Sequence, residues 1–156
     1  MRDERVKKLA SVLLKHSVKV KKAEKVLILG SIITKPLITE LIDQAYSLGA
    51  YPYVELFDDE INFHLAKNSK RTQLETQANW QMQVYKDVDA VIVIIGEEND
   101  AEMAGIPKEM HRLRGEIMKP VSEFYVNNRK WVLLNYPTKG LAQKAGMTTR
   151  EFEDYL

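Results

Sequence analysis

Apolar residues recur along this chain with helical and strand periods, and one stretch has no polar break at all. From Ala90 to Gly96, seven consecutive residues carry no polar side chain. A run this short, rich in Val and Ile and closed by Gly96, predicts a strand buried on both faces. Such a strand needs helices above and below it, which points to the α/β class. Glu97, Glu98, Asn99 and Asp100 follow it. In an open parallel sheet they fall at the end of the strands where sites are built.

The other elements follow from spacing. Val6, Leu9, Ala10, Leu13 and Leu14 recur at i, i+3, i+4, i+7 and i+8, one face of a helix over residues 2–16. Lys15, Lys19, Lys21, Lys22 and Lys25 come next, with Val18 and Val20 between them. Acidic residues elsewhere balance this basic stretch, so it is expected to be a solvated helix end and linker rather than a phosphate-binding run. The run from Lys25 to Ser31 predicts the first buried strand. Pro36 suits the first turn of a second helix, with Thr34 as its cap. That helix buries Leu37, Ile38, Leu41, Ile42 and Ala45 and stops at Gly49, where a left-handed residue is favoured. A second strand runs from Tyr51 to Phe57, with Pro52 near its start. Strand, helix, strand with short joints is a right-handed βαβ unit.

Beyond it, Ile61, Phe63 and Leu65 predict a short helix that Asn68, Ser69 and Lys70 break. A longer helix over 71–85 carries Leu74, Ala78, Met82 and Tyr85 on one side and leads into the central strand. After that strand, separate helical pieces are expected at 101–104, at 107–114 and from Pro120 to about Asn127 and Asn128. The fourth strand is 131–135. The predicted fold is therefore α/β: a Rossmann-like three-layer arrangement, with a parallel sheet of about four strands and helices on both faces. The expected strand order is 2-1-3-4, with the switch point between the first and third strands. At the end, a short helix over 140–145 is followed by Thr148 and Glu151 at the spacing of a capping box. The helix so opened has barely two turns before Leu156, and Phe152, Tyr155 and Leu156 are apolar. It either begins a segment continuing past the chain or docks on the sheet as a terminal helix.

Composition bounds the function. The 156 residues suit one domain, with 45% hydrophobic and 29% charged residues. A net charge of +1 gives no global field for nucleic acid. The absence of cysteine excludes disulfides, thiolate metal sites and cysteine nucleophiles. The charged start is not a signal peptide, and no apolar run approaches the roughly 20 residues of a membrane span. A cytoplasmic protein with no nucleic-acid or membrane partner is expected.

Candidate chemistry is sparse. Gly30 stands alone after the first strand, so the glycine pattern of dinucleotide binding is missing, as is a phosphate loop. The Ser31 amide and the next helix start could hold an anion, as any βαβ helix start could. Gly30 and Ser31 also replace the acidic pair a phosphoacceptor domain would need. Asp58, Asp59, Glu60, Glu97 and Glu98 fall at strand ends, where carboxylates either hold a divalent cation or cap the next helix; capping is the expected role. His16, His64 and His111 lie in three different predicted helices, with no paired metal-binding spacing. Ser17, Ser31, Ser47, Ser69 and Ser122 lack a nucleophile elbow. Trp80 and Trp131 are expected as core or interface anchors. The residues alone give a parallel α/β domain with no catalytic constellation.

A resemblance extends this. The blocks are residues 2–10, 18–22 running into 24–28, Lys35-Pro36-Leu37, and Gly49-Ala50 before Pro52 and Val54-Glu55-Leu56. They continue with Gly96-Glu97-Glu98-Asn99, Trp131, Tyr136-Pro137-Thr138, Leu141-Ala142-Gln143, Ala145-Gly146-Met147 and Glu151-Phe152-Glu153-Asp154. In that order and spacing the chain resembles the N-terminal domain of the thermophilic aminopeptidase (aminopeptidase T) family of metalloaminopeptidases. The resemblance implies a two-domain homodimer that removes N-terminal residues from peptides with a pair of divalent metal ions (zinc, cobalt or magnesium). It places the metal ligands and the acid–base residue in a C-terminal domain beyond Leu156. No position here matches those motifs, so residues 1–156 are expected to form one N-terminal domain with no catalytic, cofactor-binding or metal residue, inactive in isolation. An exposed apolar face should remain where the second domain packs. The alternative is a stand-alone binding or assembly module that kept the fold without the chemistry.

Overall fold

The structure, a computed structural model, describes residues 3–96 and 105–137 together with Gly146, Thr148, Arg150, Glu151 and Asp154. Among them, four strands form one parallel sheet: β1 (Lys25–Ser31), β2 (Tyr51–Phe57), β3 (Ala90–Ile95) and β4 (Lys130–Asn135). Their order is β2-β1-β3-β4, as the alternation of strands and helices predicts. The helices are α1 (Glu4–Val12), α2 (Lys35–Ser47), α3 (Asp59–Lys67), α4 (Arg71–Asp87) and α5 (Lys108–Asn128).

Side chains alternate across the two inner strands, so each strand feeds two cores. Val26, Ile28, Ile92 and Ile94 meet Ala10, Leu14, Leu37 and Leu41 on the α1–α2 side. Leu27 and Val91 meet Ala78 and Tyr85 of α4 and Val121 of α5 on the other. Register holds the alternation in phase: Ile28 pairs with Val54 and Ile92, while Val91 pairs with Trp131. The result is the expected three-layer α/β fold.

The segment after α1 is more than a linker. A π-helical turn, Leu13–Ser17, extends α1, and Val18 beyond it is fully buried. Lys19 and Ala23 adopt φ of 44° and 66°, unusual for residues with a Cβ. Specific bonds hold them there. The Val20 amide donates to the Leu14 carbonyl at 2.8 Å, and Ala23 donates to Gly49 at 2.8 Å. Lys130 Nζ donates to the Lys19 carbonyl at 3.0 Å and pairs with Glu24. The lysines themselves remain at the surface, as their charge requires.

Two expectations need correction. Thr34 occupies the cap position of α2, but its hydroxyl donates back to the Ser31 carbonyl at 2.7 Å instead of capping the helix. The pieces expected at 107–114 and from Pro120 are one helix, α5, with Gly115 and Pro120 inside it. Pro120 removes one helical hydrogen bond. Ile117, Val121, Phe124 and Tyr125 nevertheless lie on one face, all in the α4–α5 core, so packing carries the helix through. The tryptophans are not in the core: Trp80 is 66% exposed and Trp131 41%. Trp131 donates to the Val126 carbonyl at 3.1 Å and meets Tyr125 edge-on. The expected helices at 101–104 and 140–145, with Phe152, Tyr155 and Leu156, lie outside the described residues. The capping box is present: Thr148 donates to Glu151 at 2.8 Å and Glu151 returns a bond to Thr148 Oγ1 at 3.2 Å.

Two stability outcomes follow from α5 and its neighbour. A Cβ at Gly115 would meet nothing within 4 Å, and the residue sits mid-helix at the surface. Gly115→Ala should therefore stabilise the chain by about 0.5–1 kcal/mol, read as a higher denaturation midpoint in urea. Burial, with Tyr125 beside it, pushes the Tyr85 phenol well above its usual range. The unfolded chain then gives up this proton first, so the contribution is complete below about pH 10 and is lost as pH rises further. Tyr85→Phe should flatten the loss of stability above about pH 10, measured by urea unfolding across that range.

Candidate functional site

Sites in open parallel sheets form where the strands end, so the carboxyl ends of β1, β2 and β3 are the places to examine. The end of β1 is tightly packed on one side. Ser31 is 2% exposed and Thr34 is fully buried beneath the turn that leads into α2. Gly96 packs onto this turn: a Cβ there would lie 2.6 Å from Thr34 Cγ2 and 3.0 Å from Ile33 Cγ1. Gly30 is equally confined, since its Cβ would lie 2.5 Å from Ile38 Cδ1. These glycines serve close packing on the side of Thr34, Ile33 and Ile38.

The end of β2 leads into α3, and Asp58 caps that helix. Its Oδ1 accepts from the Ile61 amide at 3.0 Å, which satisfies one of the helix's open donors. Asp59 and Glu60 fill the first turn, where the helix dipole favours negative charge. Capping is thus the role the structure gives Asp58. Glu97 and Glu98 lie outside the described residues. Among the described residues, no group of three or more His, Asp or Glu comes together as a metal site. His16 follows α1, His64 stacks edge-on with Phe63 at 5.6 Å, and His111 lies on α5. The three histidines stay apart, as their spacing predicts.

Open space lies instead where α3, α4 and α5 meet. Three adjoining clefts of about 300, 460 and 540 Å³ share Asn62 of α3 and Arg114 of α5. The first brings Asp59 and His111 onto one wall. The second lies between α3 and α4, with Leu65, Gln77 and Trp80. The third runs to the end of β2 and carries an apolar strip of Ile32, Leu56 and Ile61, which are 50%, 59% and 60% exposed. Gln81 joins the second and third: its Nε2 donates to Glu55 Oε2 at 3.0 Å, and its Oε1 is buried without a partner.

The spacing analysis singled out none of Asn62, Gln77, Gln81 or Arg114. One signal for Arg114 was present. Arg112 has Glu109 and Glu116 at helical spacing and pairs with both, at 2.8 and 2.9 Å. Arg114 has Met110, His111, Ile117 and Met118 at the same offsets, so its helix supplies no acid. The convergence of α3 and α4 on it is a tertiary fact with no local trace.

No curated protein matches this chain. Among solved structures, wild-type AmpT from Thermus thermophilus superposes with a TM-score of 0.76 at 18% identity. The match covers 98% of this chain and 41% of that one, and at this identity it speaks to fold. The chain thus spans well under half the length of that structure. The family model described as thermophilic metalloprotease (M29) matches residues 2–156. With nearly its whole length accounted for by that model, the chain belongs to the thermophilic metalloprotease family.

Proposed function

We propose that residues 1–156 are the N-terminal domain of a metal-dependent aminopeptidase that releases N-terminal amino acids from peptides. The family match over residues 2–156 carries this reading. The described residues do not fit a divalent metal pair: their histidines are dispersed and their acidic side chains form no cluster with them. The zinc, cobalt or magnesium ions, their ligands and the acid–base group therefore belong to a C-terminal catalytic domain, and no step of the reaction is assigned to this chain. That the fold matches 41% of AmpT supports a role as one part of a larger enzyme. The strip of Ile32, Leu56 and Ile61 supports it as well, because exposed apolar side chains sharing one cleft suit a surface on which another domain packs. The complete protein acts as a cytoplasmic homodimer on peptide substrates.

Two measurements test the proposal. The intact mass of the protein from its native source, captured with an antibody to this domain, should lie well above 18.0 kDa. A mass of 18.0 kDa would instead mean a stand-alone module of the same fold. Purified alone, the 156-residue chain should release nothing from aminoacyl p-nitroanilides in zinc, cobalt or magnesium. Metal-stimulated turnover by that chain would place the chemistry here and sink the assignment.

A further inference from the structure

We propose that the cleft between α3 and α4 binds a carboxylate carried next to an amide, the chemistry of the carboxyl end of a peptide, with Arg114 as its charged partner. The choice of a peptide end rests on the aminopeptidase reading; the carboxylate site rests on the geometry alone.

Arg114 is half-buried and pairs with no acid among the described residues, whereas Arg5, Arg71 and Arg112 each pair with a carboxylate. A partly desolvated guanidinium with an unfilled fork selects planar anions that can accept two parallel bonds. The adjoining clefts carry Asp59 on one side and Glu55 with Asp58 on the other. The cleft of about 460 Å³ between them has no acidic residue among the described residues of its wall, so an anion is favoured there over its neighbours. Its single positive charge matches a carboxylate better than a doubly charged phosphate.

The remaining wall supplies what a carboxylate with an adjacent amide and an apolar side chain would use. Asn62, Gln73 and Gln77 offer amide donors and acceptors. Gln81 is oriented from behind. The Glu55 carboxylate accepts its Nε2 proton, which leaves the Gln81 carbonyl oxygen as the group without a donor. Trp80 and Leu65, 66% and 50% exposed, provide the apolar ground for a side chain. The volume is ordinary for a small-molecule site.

The test measures binding without turnover, so it is independent of whether the whole protein is a peptidase. Acetyl-leucyl-leucine is titrated into the 156-residue chain and followed by NMR at the Trp80 indole, the Gln77 and Gln81 side-chain amides and Arg114 Nε. These signals should shift together. The carboxamide of the same peptide should bind at least about tenfold more weakly, the loss expected for a charge-assisted pair. Arg114→Gln should lower affinity for the acid by a similar factor, with an unchanged melting temperature and no further loss for the carboxamide. Arg114→Lys, which keeps the charge without the fork, should fall between. Acetyl-glutamic acid diamide, whose two carboxylates are both replaced, should not bind, and acetyl-glutamic acid α-amide, whose only carboxylate is on the side chain, should bind more weakly than the peptide acid. The proposal is overturned if acid and carboxamide bind alike, if Arg114→Gln binds as the parent does, if the side-chain carboxylate matches the terminal one, or if these signals do not respond at millimolar peptide.

Discussion

The inner strands of the sheet, β1 and β3, can exist only if both of their faces are covered. Between Val26 and Leu29, and from Ala90 to Ile95, no side chain is polar. A strand of this kind cannot turn a face to water without exposing several large aliphatic groups, at about 1.5–3 kcal/mol each. The chain meets the demand with α1 and α2 on one side and α4 and α5 on the other. Much else is accommodation to this requirement. The residues after α1 accept left-handed backbone at Lys19 and Ala23 while Val18 reaches the core. α5 runs through Pro120 because its apolar face must continue across the sheet.

The same constraint decides where a site can be. A close-packed sheet needs tight crossings, and the turn from β1 into α2 is sealed by Gly96 against Thr34 and Ile33. Thr34 and Ile33 thus lie against Gly96 at the switch point between β1 and β3, where such folds often receive a ligand. Space is present where α3 leaves the sheet edge and meets α4 and α5. In the cleft between α3 and α4 the walls combine amides, hydroxyls and one guanidinium with Leu65, Leu74 and Trp80, the mixture of a recognition surface.

Sequence patterning carried most of the architecture because burial imposes it residue by residue. The run after Asp89 announced a strand covered on both faces, and the spacing of Leu37, Ile38, Leu41 and Ala45 announced the face of α2. Order 2-1-3-4 followed from the alternation of strands and helices. Patterning failed where a local rule met a tertiary one. Pro120 carries a strong local signal to stop a helix, but Ile117, Val121 and Phe124 share a core that lies outside the local window. Thr34 has the composition of a cap, yet its hydroxyl is drawn back to Ser31 in a buried turn with no water to replace that bond. The tryptophans were expected by size to be buried or at an interface, but size alone does not say which helix face Trp80 occupies. The α3–α4–α5 cleft needed three segments to meet, and no spacing within one segment encodes that.

The distribution of exposed apolar groups bears on what the fold leaves unfinished. Each core is built from described residues of this chain on both sides of the sheet. The outer strands are different. β2 shows Tyr51, Tyr53, Val54 and Leu56 to the surface, and β4 shows Trp131 and Leu133. Edge strands with this composition invite pairing, and Pro52 protects β2 at only one position. On the α3 side the exposed series continues through Ile61 and Leu65 to Trp80. Apolar exposure thus appears on both sheet edges and extends from β2 onto α3 and α4 at its carboxyl end. This ties the proposed second domain to the strip of Ile32, Leu56 and Ile61, and leaves the cleft beside Trp80 as the polar pocket adjoining that cover.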